Sequence, residues 1–95
     1  MYASVRKYRV TDAAEIGRQI EGEFLSLIRE VPGFSAYYVV DSGSGTLVTV
    51  TLAEDSGGAE ASAEAAAGWI RDNQGVADLM EGSPDVTNGE IIAQA

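Results

Sequence analysis

The sequence predicts an α+β fold in which a four-stranded antiparallel sheet carries two helices on one face. Three observations lead there. Two runs rich in Val, Tyr, Phe and Thr meet at a Ser-Gly-Ser-Gly turn within Phe34 to Ala53, an amphipathic helical stretch precedes them, and an alanine-rich helical stretch follows. Gly43 and Gly45 supply the positive φ that a short hairpin connection demands.

Tyr2 to Val10 reads as the first strand, with β-branched and aromatic residues spaced among charges. Asp12 then caps a helix, its carboxylate placed to accept free N–H groups of the first turn, with Glu15 as the reciprocal capping-box partner. Ala13, Ile16, Ile20, Phe24, Leu27, Ile28 and Val31 follow at steps of three and four and predict one buried face. Pro32 and Gly33 end this helix. In the hairpin, Phe34, Ala36, Tyr38 and Val40 alternate with Tyr37 and Val39, and the return strand Thr46 to Ala53 sets Val48, Val50 and Leu52 against Leu47, Thr49 and Thr51. Asp55 or Ser56 caps a second helix from about Gly58 to Asn73, with six alanines between Ala59 and Ala67. Gly75 breaks it before a helical turn around Val76 to Met80. Gly82, Ser83 and Pro84 lead into a last strand, Asp85 to Ala93, with Val86, Ile91 and Ile92 as burial candidates.

The order β-α-β-β-α-β describes a ferredoxin-like sandwich, one domain over residues 1–95. Helices on a single side leave the other face of the sheet wet. Apolar residues on both faces of the central hairpin therefore predict a homodimer formed by a partner sheet.

Composition narrows the function. The chain has no cysteine and no histidine, which removes disulfides, thiolate chemistry, the usual zinc sites and every histidine-based triad. Fifteen acidic residues against six basic ones give a formal charge of -9, which opposes nucleic-acid and anionic-membrane binding. Arg6, Lys7 and Arg9 alternate between strand faces and form no single patch. The acidic residues follow no EF-hand pattern, so no metal site is expected. No apolar stretch reaches membrane-spanning length, and a cytoplasmic location is expected.

Trp69 stands out in a helix that is otherwise thin. Asn73 lies one turn further on, and with Ser62 and Ala66 they form a stripe in which small groups leave space and polar tips point into it. The plainer reading makes Trp69 a core anchor and Asn73 a helix cap. Phe24 and Ile20 of the first helix either line this space or fill it. Tyr37 and Tyr38 point to opposite faces, one toward the helices and one toward the dimer contact, and the sequence leaves open which. The Ser-Gly-Ser-Gly turn lacks the lysine and the following helix of a phosphate loop.

With its strand order, the hairpin VPGFSAYYVVDSGSGTLVTVTLAED and the AAAGWIRDN segment, the whole chain resembles the antibiotic biosynthesis monooxygenase-like family of dimeric α+β-barrel proteins. The resemblance implies a homodimer. It also implies, for some members, oxidation of polycyclic phenols by O2 without metal, flavin or other cofactor. On that basis Trp69 matches the family's helix-two tryptophan as a donor to substrate oxygen, with Asn73 and Tyr37 or Tyr38 as further polar contacts and Arg6 as a stabiliser of phenolate. Haem-degrading relatives ligate iron through a histidine, which this chain lacks. The competing expectation is a non-enzymatic dimer that binds a small apolar or aromatic ligand.

Overall fold

A computed structural model describes residues 1–95. Strand β1 (Tyr2–Val10) leads into a helix, α1, built of three contiguous segments, Ala13–Gln19, Ile20–Phe24 and Leu25–Ile28. The hairpin β2 (Phe34–Gly43) and β3 (Thr46–Ala53) follows, then α2 (Ser56–Asp72), the short α3 (Gln74–Ala77) and β4 (Met80–Glu90). The strands form one antiparallel sheet in the order β2-β3-β1-β4, with the helices on one face, as the topology predicts.

Asp12 caps α1 as expected, its Oδ1 accepting the Glu15 N–H at 3.1 Å. The Glu15 carboxylate does not return to the cap. It pairs instead with the Arg18 guanidinium one turn on. The middle segment of α1 is a π-turn, in which the Leu25 N–H reaches the Ile20 carbonyl. Buried Ile16, Ile20, Phe24 and Ile28 recur every four residues, a spacing that drifts round a regular α-helix by about 40° per step. The wider π-turn absorbs that drift and keeps all four on the sheet. Leu27, expected on this face, lies off it and is exposed.

The hairpin closes through Ser44 and Gly45, both at positive φ (54° and 76°), which matches the twist of the flanking strands. An extra residue, Ser35, sits between the pairs Phe34↔Ala53 and Ala36↔Leu52. This bulge turns Phe34 onto the helix-facing side, where it packs on the core with Tyr37 and Val39. The strict alternation that groups Phe34 with Tyr38 fails for that reason.

In β3 the buried residues are Leu47, Thr49, Thr51 and Ala53, while Val48, Val50 and Leu52 on the outer face stay half-buried. The last strand starts earlier and ends earlier than the sequence predicts. Gly82, Ser83 and Pro84 lie inside it, at an irregularity where Lys7 pairs with Asp85 and Arg9 with Glu81. Gly82 takes φ +71°, and the edge position tolerates a proline that has no N–H to give. Of the burial candidates there, Val86 and Ile92 are exposed and Ile91 half-buried. The second helix begins at Ser56, ahead of Gly58, and Asp55 caps it by accepting the Gly58 N–H at 2.8 Å. It stops at Asn73, whose extended backbone (φ -111°, ψ 94°) precedes Gly75, so Gly75 lies inside α3 and does not separate the two helices.

Two glycines predict opposite responses to alanine. A methyl at Gly17 in α1 meets nothing within 4 Å, so Gly17→Ala is expected to raise the free energy of unfolding by about 0.5–1 kcal/mol through helix propensity alone. A methyl at Gly58 comes within 3.2 Å of the Gly33 carbonyl oxygen and of Ala53. Gly58→Ala is expected to cost about 1–3 kcal/mol despite the same propensity gain. Urea denaturation of both variants checks the pair.

Candidate functional site

The core gathers where α1 and α2 meet the sheet, and its centre is aromatic. Phe24, 1% exposed, lies between two rings. Tyr37 of β2 meets it edge-on with centroids 5.5 Å apart, and Trp69 of α2 lies tilted against it at 5.4 Å. Tyr37 is therefore the tyrosine that faces the helices, and Tyr38, 56% exposed, points to the opposite side of the sheet.

The stripe on α2 does not frame one open cavity. Ser62 is fully buried and its hydroxyl donates to the Gly58 carbonyl at 2.8 Å, so its polar tip is spent within its own helix. Ala66 is core. Trp69 and Asn73 do share a groove of about 380 Å³, with Gln19 and Glu23 opposite, but the groove is shallow and largely polar. The Asn73 amide donates there to Gln19 Oε1 and to Glu23 Oε2, each at 3.3 Å, and so ties the end of α2 to α1.

The roomier apolar space lies on the other side of Phe24. A cleft of about 540 Å³ opens between the first turns of α1 and the β2–β3 hairpin, lined by Ala13, Gly17, Ile20, Tyr37, Val39 and Leu47 among others. Its size and mostly apolar lining suit a small aromatic molecule. Polar groups border it: Arg18, held by Glu15, with the carboxylates of Glu21 and Asp41. The Arg18 guanidinium, through its hydrogen bond and charge, holds the Glu15 carboxyl below the usual carboxylate range. Of the residues that sequence patterns single out, Ile20 and Tyr37 reach this cleft. Gly17, Arg18 and Val39 were not foreseen. The signal available was Ala13, Ala14 and Gly17, three small residues opening an amphipathic helix whose later face is bulky.

Arg6 projects to the helix-facing side of β1, paired across the sheet with Thr49, and is half-buried. Lys7 and Arg9 lie on the other side, exposed, as strand alternation predicts. Burial pushes the Tyr37 phenol well above its usual value, with the nearby Tyr8 phenol adding to the rise and Thr49 and Arg6 opposing it. Tyr37 is thus a neutral donor at physiological pH and not a base. No three acidic side chains converge as they would around a metal ion, and no helix is long and apolar enough to cross a membrane.

Comparison with solved structures places this arrangement. A monooxygenase from Streptomyces coelicolor, ActVA-Orf6, whose structure holds nanaomycin D, superposes with a TM-score of 0.71 at 19% identity, over 98% of this chain and 92% of that one. SnoaB, a cofactor-independent oxygenase from Streptomyces nogalater, gives 0.68 at 14% identity over 98% and 94%. A Nitrosomonas europaea protein assigned to antibiotic biosynthesis monooxygenases gives 0.76 at 17% identity over 98% and 100%. The fold is that of the antibiotic biosynthesis monooxygenase-like proteins. No family model and no curated relative matches the sequence itself, so the likeness to the monooxygenase-like proteins is one of fold, across almost the whole chain.

The raised Tyr37 value carries a prediction. Unfolded tyrosine loses its proton near pH 10, whereas folded Tyr37 keeps it to higher pH. The stability this contributes is complete below about pH 10 and is lost as pH rises beyond it. Absorbance titration near the tyrosinate band is expected to show a late step that is absent from Tyr37→Phe.

Proposed function

We propose that this protein is monooxygenase-like, that it takes a small phenol or hydroquinone into the cleft beside Tyr37, and that it supports oxidation of that substrate by O2 without a cofactor. The observation that carries the reading is the cleft itself, a mostly apolar space of about 540 Å³ lined by a half-buried neutral tyrosine. The fold shared with ActVA-Orf6 and SnoaB supports the kind of chemistry.

In such a reaction the substrate is the electron source. A phenol with a free para C–H and one O2 give a quinone and one water: the new C=O oxygen comes from O2, the other oxygen leaves as water, and four electrons pass from substrate to O2. The protein's part is to bind, orient and exclude water. Tyr37 offers a hydrogen bond to a substrate oxygen, Arg18 favours the phenolate, and Glu21 and Asp41 are the carboxylates available to accept its proton. Trp69 acts through Phe24, whose ring packs in turn on Tyr37 at the cleft.

A second reading rests on a different observation. Phe24 covers Trp69, Asn73 is held by Gln19 and Glu23, and Ser62 is sealed within its helix. A dimer that binds a small aromatic ligand without turning it over uses these residues as framework alone.

Either way a homodimer fits the outer face of the sheet. Ala36, Tyr38, Val40, Val48, Val50 and Leu52 form a continuous apolar surface there, with Tyr38 56% and Val40 46% exposed in the single chain. Val50→Glu, at the centre of that surface, is expected to convert a dimer to a monomer in light scattering at micromolar concentration; a monomeric mass for the unaltered chain refutes the dimer.

Oxygen uptake with a panel of hydroquinones and polycyclic phenols decides between the two readings. The oxygenase reading expects one quinone per O2 consumed. It also expects a fall of about 10- to 100-fold in kcat/KM for Tyr37→Phe, equivalent to the loss of about 1.4–3 kcal/mol of differential hydrogen bonding. A panel that binds, with uptake no faster than in buffer, leaves the binding module.

A further inference from the structure

A second cleft, of about 470 Å³, lies on the far side of α2, between that helix and the β1–β4 edge of the sheet. It shares no lining residue with the Tyr37 cleft. Its floor is β1, where Ser4 and Arg6 project to the same side of the strand. Ser4 is 3% exposed, and neither its Oγ nor the buried Nε of Arg6 has a hydrogen-bonding partner in the protein. Two such groups so close together are uncommon, because each buried donor left without an acceptor is costly. The wall is a face of α2 on which Gly57, Glu60, Ala61 and Glu64 recur at helical spacing. Glu60 and Glu64 stand one turn apart on that face, a like-charge pair that weakens a helix.

The floor therefore presents donors that lack an acceptor, and the wall presents carboxylates that lack a cation. A phosphate or other multiply charged anion meets two glutamates. A simple amine satisfies the glutamates and leaves Ser4 and Arg6 unpaired, and a simple carboxylate does the reverse. One molecule carrying both groups answers both ends. Ala59, Ala61 and Ala63 line the same cleft and leave room for an aliphatic side chain beside the two charged groups. We infer that this cleft binds a small aminocarboxylate zwitterion of the α-amino-acid class, with its carboxylate on Ser4 and Arg6 and its ammonium between Glu60 and Glu64. The site is separate from the proposed oxidation, so either can fail alone.

The test is an amide-resolved NMR titration of the full chain with L-leucine and with its two halves, 4-methylpentanoate and 3-methylbutylamine. L-Leucine is expected to give saturable shifts at Ser4, Arg6, Glu60 and Glu64, and each half to bind at least about tenfold more weakly. Ser4→Ala and Glu64→Gln are each expected to weaken L-leucine about tenfold or more, as loss of a charge-assisted hydrogen bond does. Neither is expected to disturb the fold, since one deletes a hydroxyl that has no partner in the protein and the other lies on an exposed helix face. The unaltered chain also guards the test against misfolded variants, because the three-ligand comparison needs no substitution. The proposal is overturned by any of four results: no shifts up to tens of millimolar ligand, as an order of magnitude for the weakest useful site; equal response to either half; shifts confined to the Tyr37 cleft; or L-leucine binding unchanged in both variants.

Discussion

Phe24 is the residue on which the helix layer depends. It reaches the sheet through the π-turn of α1, meets Tyr37 of β2 on one side and Trp69 of α2 on the other, and so joins both helices and the hairpin at one contact. Aromatic pairs in tilted and edge-on geometry each add about 0.5–1.5 kcal/mol beyond the area they bury. The fixed angle between rings also sets how close each helix lies to the sheet. Trp69 is the one aromatic residue of α2, which otherwise packs on the core mainly through alanine methyl groups and Ile70.

The two clefts follow from that arrangement. Both helices carry small residues where they pass the sheet, Ala13 and Gly17 in α1 and Gly57 and Ala61 in α2. A single aromatic contact in the middle then leaves each helix standing off the sheet on its outer side. The spaces differ in chemistry because the strands beneath them differ. The hairpin presents Tyr37, Val39 and Leu47, whereas β1 presents Ser4 and Arg6. The two proposed sites thus differ in chemistry, one suited to a flat ring and the other to a charged molecule, on the same sheet.

The sheet itself is divided in an uncommon way. Its helix-facing side buries hydroxyls, Ser4, Thr49 and Thr51, while its outer side shows Val48, Val50, Leu52 and Tyr38. Apolar area left in water is unfavourable at about 25 cal/mol per Å². That exposed apolar area on the outer face is what the proposed dimer would cover. Hydroxyls inside are tolerable where the helix layer above them is thin and a neighbouring Tyr37 phenol stays neutral.

Local chemistry made much of the fold legible in the sequence by itself. The β-α-β-β-α-β order, the positive-φ hairpin turn and the caps at Asp12 and Asp55 depend on interactions within a few residues, and composition alone excluded disulfides and histidine-based sites. Tertiary structure decided what depends on where distant segments meet. One extra residue at Ser35 moved Phe34 across the sheet, and an irregularity opposite Tyr8 carried β4 back through Gly82 and Pro84. Asn73 sat at the predicted end of its helix, but only the approach of Gln19 and Glu23, 54 and 50 residues earlier in the chain, engaged its amide. The same holds for the candidate site. Trp69 was conspicuous because it is large and rare, yet the open space formed beside Gly17 and Arg18, because an empty volume is a property of two surfaces and no single stretch of chain encodes it.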